Sequence, residues 1–194
     1  NGRSRGLGDV YKRQGYYGLL AYTLVRSEYQ NPGQDFALQS WVPSSWDNRH
    51  IVSFTGGKKW DSGWEVGARV LFSGGLPYTP YALDQSLLIE NWDTFNAPIP
   101  DYAALNTERN GAFHQVDLRI DRKWFFDNWS LDVFADLQNI TAAAPPQPDQ
   151  LDVVRDPATG RPIPSTSNPS FYDPRFISTA TGAILPGLGM IVEL

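Results

Sequence analysis

The sequence predicts an all-β protein, an antiparallel up-and-down sheet of about six strands that forms a segment of a transmembrane β-barrel. Apolar and polar residues alternate one for one in several stretches. Short and long connections between those stretches also alternate, and aromatic residues gather beside the short ones. The 17 Gly and 15 Pro among 194 residues favour turns and long loops over helices.

The N-terminal segment is expected to stand apart from this fold. Residues 1–14, NGRSRGLGDVYKRQ, are polar and basic and lack the apolar core of a signal peptide. We expect them to be a non-native or unstructured leader. Residues 15–194 are then expected to form one domain, a run of barrel strands.

Six strands are predicted along the domain. The first, at residues 16–28, is apolar on both sides, so its facing stays open. The others are placed at residues 50–60, 64–73, 114–125, 129–139 and 188–194. About ten tilted residues cross the hydrocarbon layer of a membrane, and the middle strands have that length.

The connections carry more information than the strands. Tight hairpin turns are predicted at residues 61–63 and 126–128, whereas residues 30–49, 74–112 and 140–187 form long links. All short turns then lie on one edge of the sheet and all long loops on the other. Outer-membrane barrels sort their loops in this way, and a soluble sandwich has no reason to do so.

The aromatic residues at the short-turn edge indicate a membrane interface. The predicted interface aromatics are Trp60, Trp64, Trp124 and Trp129. Amphipathic rings suit the height at which lipid meets water. Arg122 is the one charge expected on the apolar side of the middle strands, and its stem would let the head reach this interface.

Alternation divides the strands into two faces. The residues predicted to face lipid are Val66, Val70, Val116, Leu118, Ile120, Leu131, Val133 and Leu137. The residues predicted to line the lumen are Glu65, Arg69, Asp117, Arg119, Asp121, Lys123, Asp132, Asp136 and Gln138. The mixed charges suit contact with a plug or a permeating solute, and a solvated face with incidental ion pairs is the alternative.

Other classes of function have little support. A net charge of −5 disfavours nucleic acid as a partner. There is no Cys, the two His are far apart in sequence, and no Gly-x-Ser-x-Gly stretch exists. We therefore expect no enzyme activity, no metal site and no cofactor. The sequence contains no run of 18 apolar residues, so it predicts no transmembrane helix.

The long loops carry aromatic residues that could contact a ligand. The candidates are Trp41, Trp46, Tyr78, Tyr81, Trp92 and Phe95. Loops host binding, and aromatic rings supply flat contact surface. Large loops also pack on their own aromatic residues, which is the alternative role for each of these rings.

Several motifs, taken in order, resemble the last strands of TonB-dependent outer-membrane receptors. They are WDNRHIVSFTGG with Asn48-Arg49-His50 at the start of a strand, GLPYTP at residues 75–80, DLR at 117–119, QN at 138–139 and the closing GMIVEL. The resemblance covers residues 15–194. The last residue is Leu194, where outer-membrane proteins often end in Phe.

The resemblance implies a 22-stranded barrel around an N-terminal plug. Such receptors take up an iron chelate, a cobalamin, a glycan or a peptide, driven by an inner-membrane complex through the TonB protein. The implied partners are outer-membrane lipid, the N-terminal barrel and plug, the TonB complex acting through the plug, and optionally a surface lipoprotein. We expect this chain to be a fragment of such a receptor in a Gram-negative outer membrane.

The sequence leaves two alternative functions open. The first is a soluble or surface-attached β-sandwich that binds glycans through loop aromatics. The second is a small self-contained barrel with a structural or adhesive role. Lipid contact at the apolar faces of the strands separates the receptor from the sandwich.

Overall fold

The structure is a computed structural model that describes residues 15–30 and 40–194, together with the backbone of residues 9–13. The strands are β1 (Asp9–Arg13), β2 (Tyr16–Leu24), β3 (Glu28–Tyr29), β4 (Val42–Pro43), β5 (His50–Lys59), β6 (Trp64–Ser73), β7 (Pro77–Tyr78), β8 (Glu108–Arg109), β9 (Phe113–Phe125), β10 (Ser130–Gln138), β11 (Gln150–Val153), β12 (Pro174–Ile177) and β13 (Leu185–Glu193). The protein is therefore mostly β, as predicted.

One large antiparallel sheet organises the molecule, in the order β1-β2-β5-β6-β9-β10-β13. Each strand pairs with the next long strand in sequence, so the sheet is an up-and-down meander. The described residues form an open sheet and do not close into a barrel. The predicted antiparallel meander is confirmed.

The loops also follow the predicted order. Residues 60–63 join β5 to β6 and residues 126–129 join β9 to β10, whereas residues 25–49, 74–112 and 139–184 form the long connections. Three small ribbons lie in these loops, β3-β4, β7-β8 and β11-β12. The middle loop adds the short helices α1 (Leu83–Ser86) and α2 (Ile89–Phe95).

Two strand ends differ from the predicted ones by more than one residue, and one strand of the large sheet is additional. The strand β2 ends at Leu24, where its pairing with β5 stops opposite His50. The strand β13 begins at Leu185, because its pairing with β10 continues to Gln138. The backbone of Asp9–Arg13, inside the segment set aside as a leader, pairs with β2. The non-native origin of residues 1–14 stays a prediction.

The register settles which residues share a face. Val66 pairs with Lys58 on one side and Ile120 on the other, and Val133 pairs with Arg122. The facing of β2, which the sequence left open, follows from the pairing of Leu20 with Phe54. We call the side carrying Val66 the apolar face and the opposite side the polar face.

The buried core lies outside the large sheet. Its cluster consists of Leu87, Trp92, Leu151, Val153 and Tyr172, with Tyr81, Ile89 and Phe171 packed against it. All eight come from the middle and last long loops, which together with the first loop we call the loop block. We call this cluster the loop core. The fold therefore combines a single-layer sheet with a packed block on one edge.

Candidate functional site

The apolar face has no protein layer over it among the described residues. Val66, Leu118 and Val133 are each 40% exposed, although each lies within a strand that has a neighbour on both sides. Of the predicted lipid-facing residues, Val70, Ile120 and Leu137 are also exposed, and Val116 and Leu131 are half-buried. The structure thus brings all eight onto one uncovered face.

A belt of aromatic and cationic side chains borders the apolar face at its short-turn edge. The ammonium of Lys58 lies 4.6 Å from the ring centre of Tyr16 and 5.0 Å from that of Trp60. The guanidinium of Arg122 lies 5.2 Å from the ring centre of Trp64 and 5.5 Å from that of Trp124. These distances are within the range of cation–π contacts. We call these six residues the turn-edge belt.

Trp129 lies beside the belt at the next short turn. Its ring stacks on Phe126 with the centroids 4.1 Å apart, and the Phe126 amide donates to the Trp129 carbonyl at 2.9 Å. The contact closes the turn between β9 and β10. All four predicted interface aromatics therefore lie at one edge of the sheet.

The polar face carries the predicted charged wall as a set of short ion pairs. Arg119 donates to Asp121 at 2.6 Å, and its guanidinium lies 3.8 Å from the ring centre of Phe134. Phe134 can lie flat there because it covers Gly189 of β13, where a Cβ would collide with the ring. These contacts hold the arginine against the wall and leave its charge paired.

Further pairs link neighbouring strands across this face. Glu65 accepts from the Tyr17 hydroxyl at 2.7 Å and pairs with Lys59 at 2.8 Å. Lys123 pairs with Glu193 at 2.6 Å, joining β9 to β13 across β10. Hydrogen bonds and ion pairs between strands therefore hold these charged side chains of the wall in place.

Asp117 and Asn139, both in motifs of the resemblance, act together at the loop end of the wall. Asp117 accepts from the Gln115 amide and from the Asn139 backbone amide, each at 2.8 Å. Asn139 has a positive φ of 54°, a conformation that Asn tolerates well, and it ends the strand there. Its side-chain amide donates to the carbonyls of Ala143 and Ala183, which clamps both ends of the last long loop.

A shallow hollow of about 310 Å³ lies in the middle of the polar face. Arg69, Arg119, Asp117, Asp136 and Gln138 line it with Tyr17. Within the described residues, Arg69 forms no ion pair, and Oδ1 of Asp132 on the same face is buried without a hydrogen-bond partner. Arg69 therefore leaves the hollow able to bind a polar body that supplies acceptors, whereas Asp132 does not line the hollow.

The predicted loop contacts separate into exposed and packed rings. Trp41 and Trp46 are each 65% exposed and Phe95 is 62% exposed, so they are available to a ligand. Trp92 is only 3% exposed and lies in the loop core, which gives it a packing role. Tyr78 and Tyr81 are half-buried and line a groove of about 260 Å³ together with Phe176.

The loop block is held together by polar contacts between loops. Arg109 of the middle loop pairs with Asp47 of the first loop at 2.5 Å, and Asp47 is 2% exposed. The Asn106 side chain donates to the Pro43 carbonyl at 2.8 Å. The Tyr172 hydroxyl of the last loop donates to Asp93 in α2 at 2.9 Å. All three long loops are therefore tied to one another.

Two groups of the loop block have pKa values shifted from their ordinary values. A hydrogen bond from Arg155 lowers the pKa of Asp152 below its usual range. Burial and the hydrogen bond to Asp93 raise the pKa of Tyr172. Both shifts favour the protonation states that these groups have near neutral pH. The Asp152–Arg155 ion pair and the Tyr172 hydroxyl thus contribute to the packing of the loop block.

The histidines stand at the loop edge of the apolar face. The Tyr22 hydroxyl lies 2.9 Å from Nδ1 of His50, and the two rings stack at 6.1 Å. His114 pairs with Phe72 in register. In the described part of the chain, no three His, Cys, Asp or Glu side chains are grouped to hold a metal ion.

Sequence reasoning missed several members of these surfaces. The sequence alone assigns to the polar face neither Tyr17, on a strand whose facing stays open, nor Phe134, an aromatic residue among the carboxylates of β10. Lys58 was not placed on the apolar face, since the register of β5 against β6 is needed for that. The alternation of Val52, Phe54 and Gly56 puts Lys58 on their side of the strand, and the pairing with Val66 shows that this side is the apolar face.

No protein-family model matches this chain, and no curated protein matches it. Among the described residues, none of the helices is long and apolar enough to span a membrane.

Proposed function

We propose that this chain is part of the barrel wall of a TonB-dependent outer-membrane receptor, which takes up a large nutrient such as an iron chelate, a cobalamin, a glycan or a peptide. The observation that carries the proposal is the uncovered apolar face bordered by the turn-edge belt. The plug, the TonB coupling and the class of cargo rest on the motif resemblance.

The exposure of the apolar face favours lipid over water as its surroundings. A β-sheet in a soluble domain packs its apolar face against a second layer. Val153 in the loop core is fully buried, whereas Val133 on β10, which has a strand on each side, is 40% exposed. Large contiguous apolar patches are rare on soluble monomers, and hydrocarbon removes their cost.

The dimensions of the face agree with a membrane. On β9, His114 and Trp124 bracket the apolar stretch, ten residues apart. At about 3.3 Å per residue and a tilt of about 40°, this separation gives a height of about 25 Å. The apolar band of outer-membrane barrels is about 25 Å tall.

The polar face fits a lumen that holds another polar body. Its ion pairs form within the wall, while Arg69 in the hollow has no carboxylate partner among the described residues and is open to one from another body. In the proposed receptor, this body is the plug or the passing cargo. The outer strands β1 and β13 each have one neighbour, so the proposal requires additional strands to pair with them in lipid.

Site-directed spin labelling tests the proposal directly. These 194 residues contain no Cys, so single cysteines at Val66, Leu118 and Val133 each add one labelling site within them. In the protein expressed from its complete gene and placed in lipid vesicles, these nitroxides should be relaxed by oxygen and shielded from a water-soluble nickel chelate. Labels at Thr55 and Arg69 on the polar face are the matched controls and should lack this hydrocarbon signature.

One result would reject the receptor. Immobile labels at Val66, Leu118 and Val133, shielded from both oxygen and nickel, would mean that a second protein layer covers the apolar face. The glycan-binding β-sandwich needs such a layer, and its support is the exposure of Trp41 and Trp46. Sequencing upstream in the genome separates the receptor from a small barrel, because only the receptor requires an encoded plug.

A further inference from the structure

We infer that Lys58 and Arg122 bind the phosphates of anionic lipid headgroups in the leaflet reached by the short turns. The inference rests on the proposed membrane location of the sheet and goes beyond it. It names a ligand and a site on the outside of the wall, away from the lumen and the loops.

Two neighbouring pairs of cations provide the first argument. Lys58 and Lys59 are adjacent on β5, and Arg122 and Lys123 are adjacent on β9, so one member of each pair lies on each face. On the polar face, Lys59 pairs with Glu65 at 2.8 Å and Lys123 with Glu193 at 2.6 Å.

The apolar-face members of those pairs have no such partner. Throughout residues 15–30 and 40–194, no carboxylate forms an ion pair with Lys58 or Arg122. Their contacts are aromatic rings, the Tyr16 hydroxyl at 2.8 Å from Lys58 and the Ser62 carbonyl for Arg122. Each cation therefore keeps donors that point to no anion of the protein.

The placement of the two cations provides the second argument. Lys58 is level with Val66 and Ile120 in the register, and Arg122 is two residues beyond Ile120, across one intervening strand. With strands about 4.8 Å apart and about 3.3 Å per residue, the two Cα atoms are about 12 Å apart. The Lys58 ammonium is directed to Tyr16 on β2 and the Arg122 guanidinium to Ser62 at the turn, so the two cations lie on either side of β6 at one height of the belt.

The surroundings select the kind of anion. The rings of Trp64 and Trp124 flank Arg122, and aromatic belts of this kind lie at the headgroup level of a membrane. An unpaired cation at that level faces lipid phosphates, which attract each nearby Lys or Arg by about 1 kcal/mol. The guanidinium fork of Arg122 also matches phosphate oxygens in geometry.

Quenching of tryptophan fluorescence by brominated lipids tests the site. The protein from the complete gene is placed in vesicles that mix phosphatidylglycerol with phosphatidylcholine, with bromine on one lipid at a time. The wild type should favour phosphatidylglycerol at the belt by at least about fivefold, the factor that corresponds to about 1 kcal/mol.

The variants locate that preference. The double variant Lys58→Gln with Arg122→Gln should lose it, and the single variant Lys58→Gln should lose part of it. The double variant Lys59→Gln with Lys123→Gln removes equal charge from the adjacent polar-face positions and should keep it. Millimolar inorganic phosphate at matched ionic strength should leave the wild-type preference unchanged.

Three outcomes would overturn the inference. They are equal quenching by both brominated lipids, a preference that survives in the Lys58→Gln, Arg122→Gln variant, and a preference abolished by inorganic phosphate, which would indicate a site for a free anion. If no brominated lipid quenches any variant, the membrane location itself fails, so the two failures are distinguishable.

Discussion

The large sheet and the loop block use similar residues and bury them differently. Val153 in the ribbon β11-β12 is fully buried, whereas Val133 in β10, a strand with two neighbours, is 40% exposed. Helix α2 and Phe171 supply the second layer for the ribbon, and no described element does so for the apolar face of the sheet. Strand pairing satisfies the backbone, but burial of side chains needs a further layer or a lipid.

The same contrast holds for polar groups. In the loop block, Asp47 is 2% exposed and is paired with Arg109, while on the sheet Lys58 and Arg122 meet aromatic rings without a carboxylate. The buried Asp47 carboxylate thus has its cation within the loop block. Lys58 and Arg122 on the sheet have no carboxylate partner among the described residues, so a partner would have to come from the surroundings.

The largest expected effect is in the loop core. Leu151→Ala should destabilise the loop block by about 2–5 kcal/mol, because Leu151 is 1% exposed and truncation leaves a cavity. Limited proteolysis of the long loops should show faster cleavage. Leu118→Ala on the apolar face is the control and should leave loop cleavage unchanged. Equal loosening by both variants would remove the distinction between the two regions.

A charge on the apolar face should have the next largest effect. Leu118→Arg should destabilise the protein in lipid vesicles by about 2–4 kcal/mol, because an arginine at the middle of the lipid-facing band is costly. Denaturant titration of the vesicle-bound protein measures this. Ser53→Arg on the polar face is the matched control, with an expected change within about 0.5 kcal/mol. A loss of unfolding free energy in Leu118→Arg as small as that in Ser53→Arg would contradict lipid contact at the apolar face.

Loss of the ion pair between the first and middle loops should destabilise the protein less than the two substitutions above. Arg109→Leu leaves the buried carboxylate of Asp47 without its cation, so we expect the loop block to lose about 1–3 kcal/mol. Hydrogen exchange of the amides at residues 42–47 should accelerate. Arg161→Leu, at an exposed loop arginine, should leave that exchange as it was. Unchanged exchange in Arg109→Leu would show that the loops hold together without the pair.

The smallest expected effect is a pH dependence. The pKa of Asp152 is lowered in the folded state by Arg155, so its contribution is present above the ordinary pKa of 3.8 and is lost as the pH falls through the lower folded value. The pair should contribute less than about 1 kcal/mol. Loop proteolysis across the acid range should show a step that Asp152→Asn lacks. A step that persists in Asp152→Asn would belong to another group.

The faces of the middle strands were predictable because apolar and polar residues alternate along most of β6, β9 and β10. Val66 against Glu65, or Leu118 against Asp117, needs only the period of a strand. The facing of β2 was not predictable, because Leu19 and Leu20 are both apolar. Pairing with β5 decides it, and that contact joins residues about thirty positions apart in the chain.

The loop residues were harder to assign for a similar reason. Trp92 and Phe95 sit three residues apart on α2, yet one is 3% and the other 62% exposed. Composition cannot separate them, because the core that buries Trp92 comes from residues 151–153 and 172 of a different loop.

The sequence by itself determined the strands, their two-faced pattern and the separation of short turns from long loops, because these depend on local alternation and turn chemistry. Tertiary structure alone decided where the core lies, which charges pair, and that Lys58 and Arg122 share a belt without a carboxylate. Those features depend on register and on contacts between distant segments, which the order of residues along one strand does not specify.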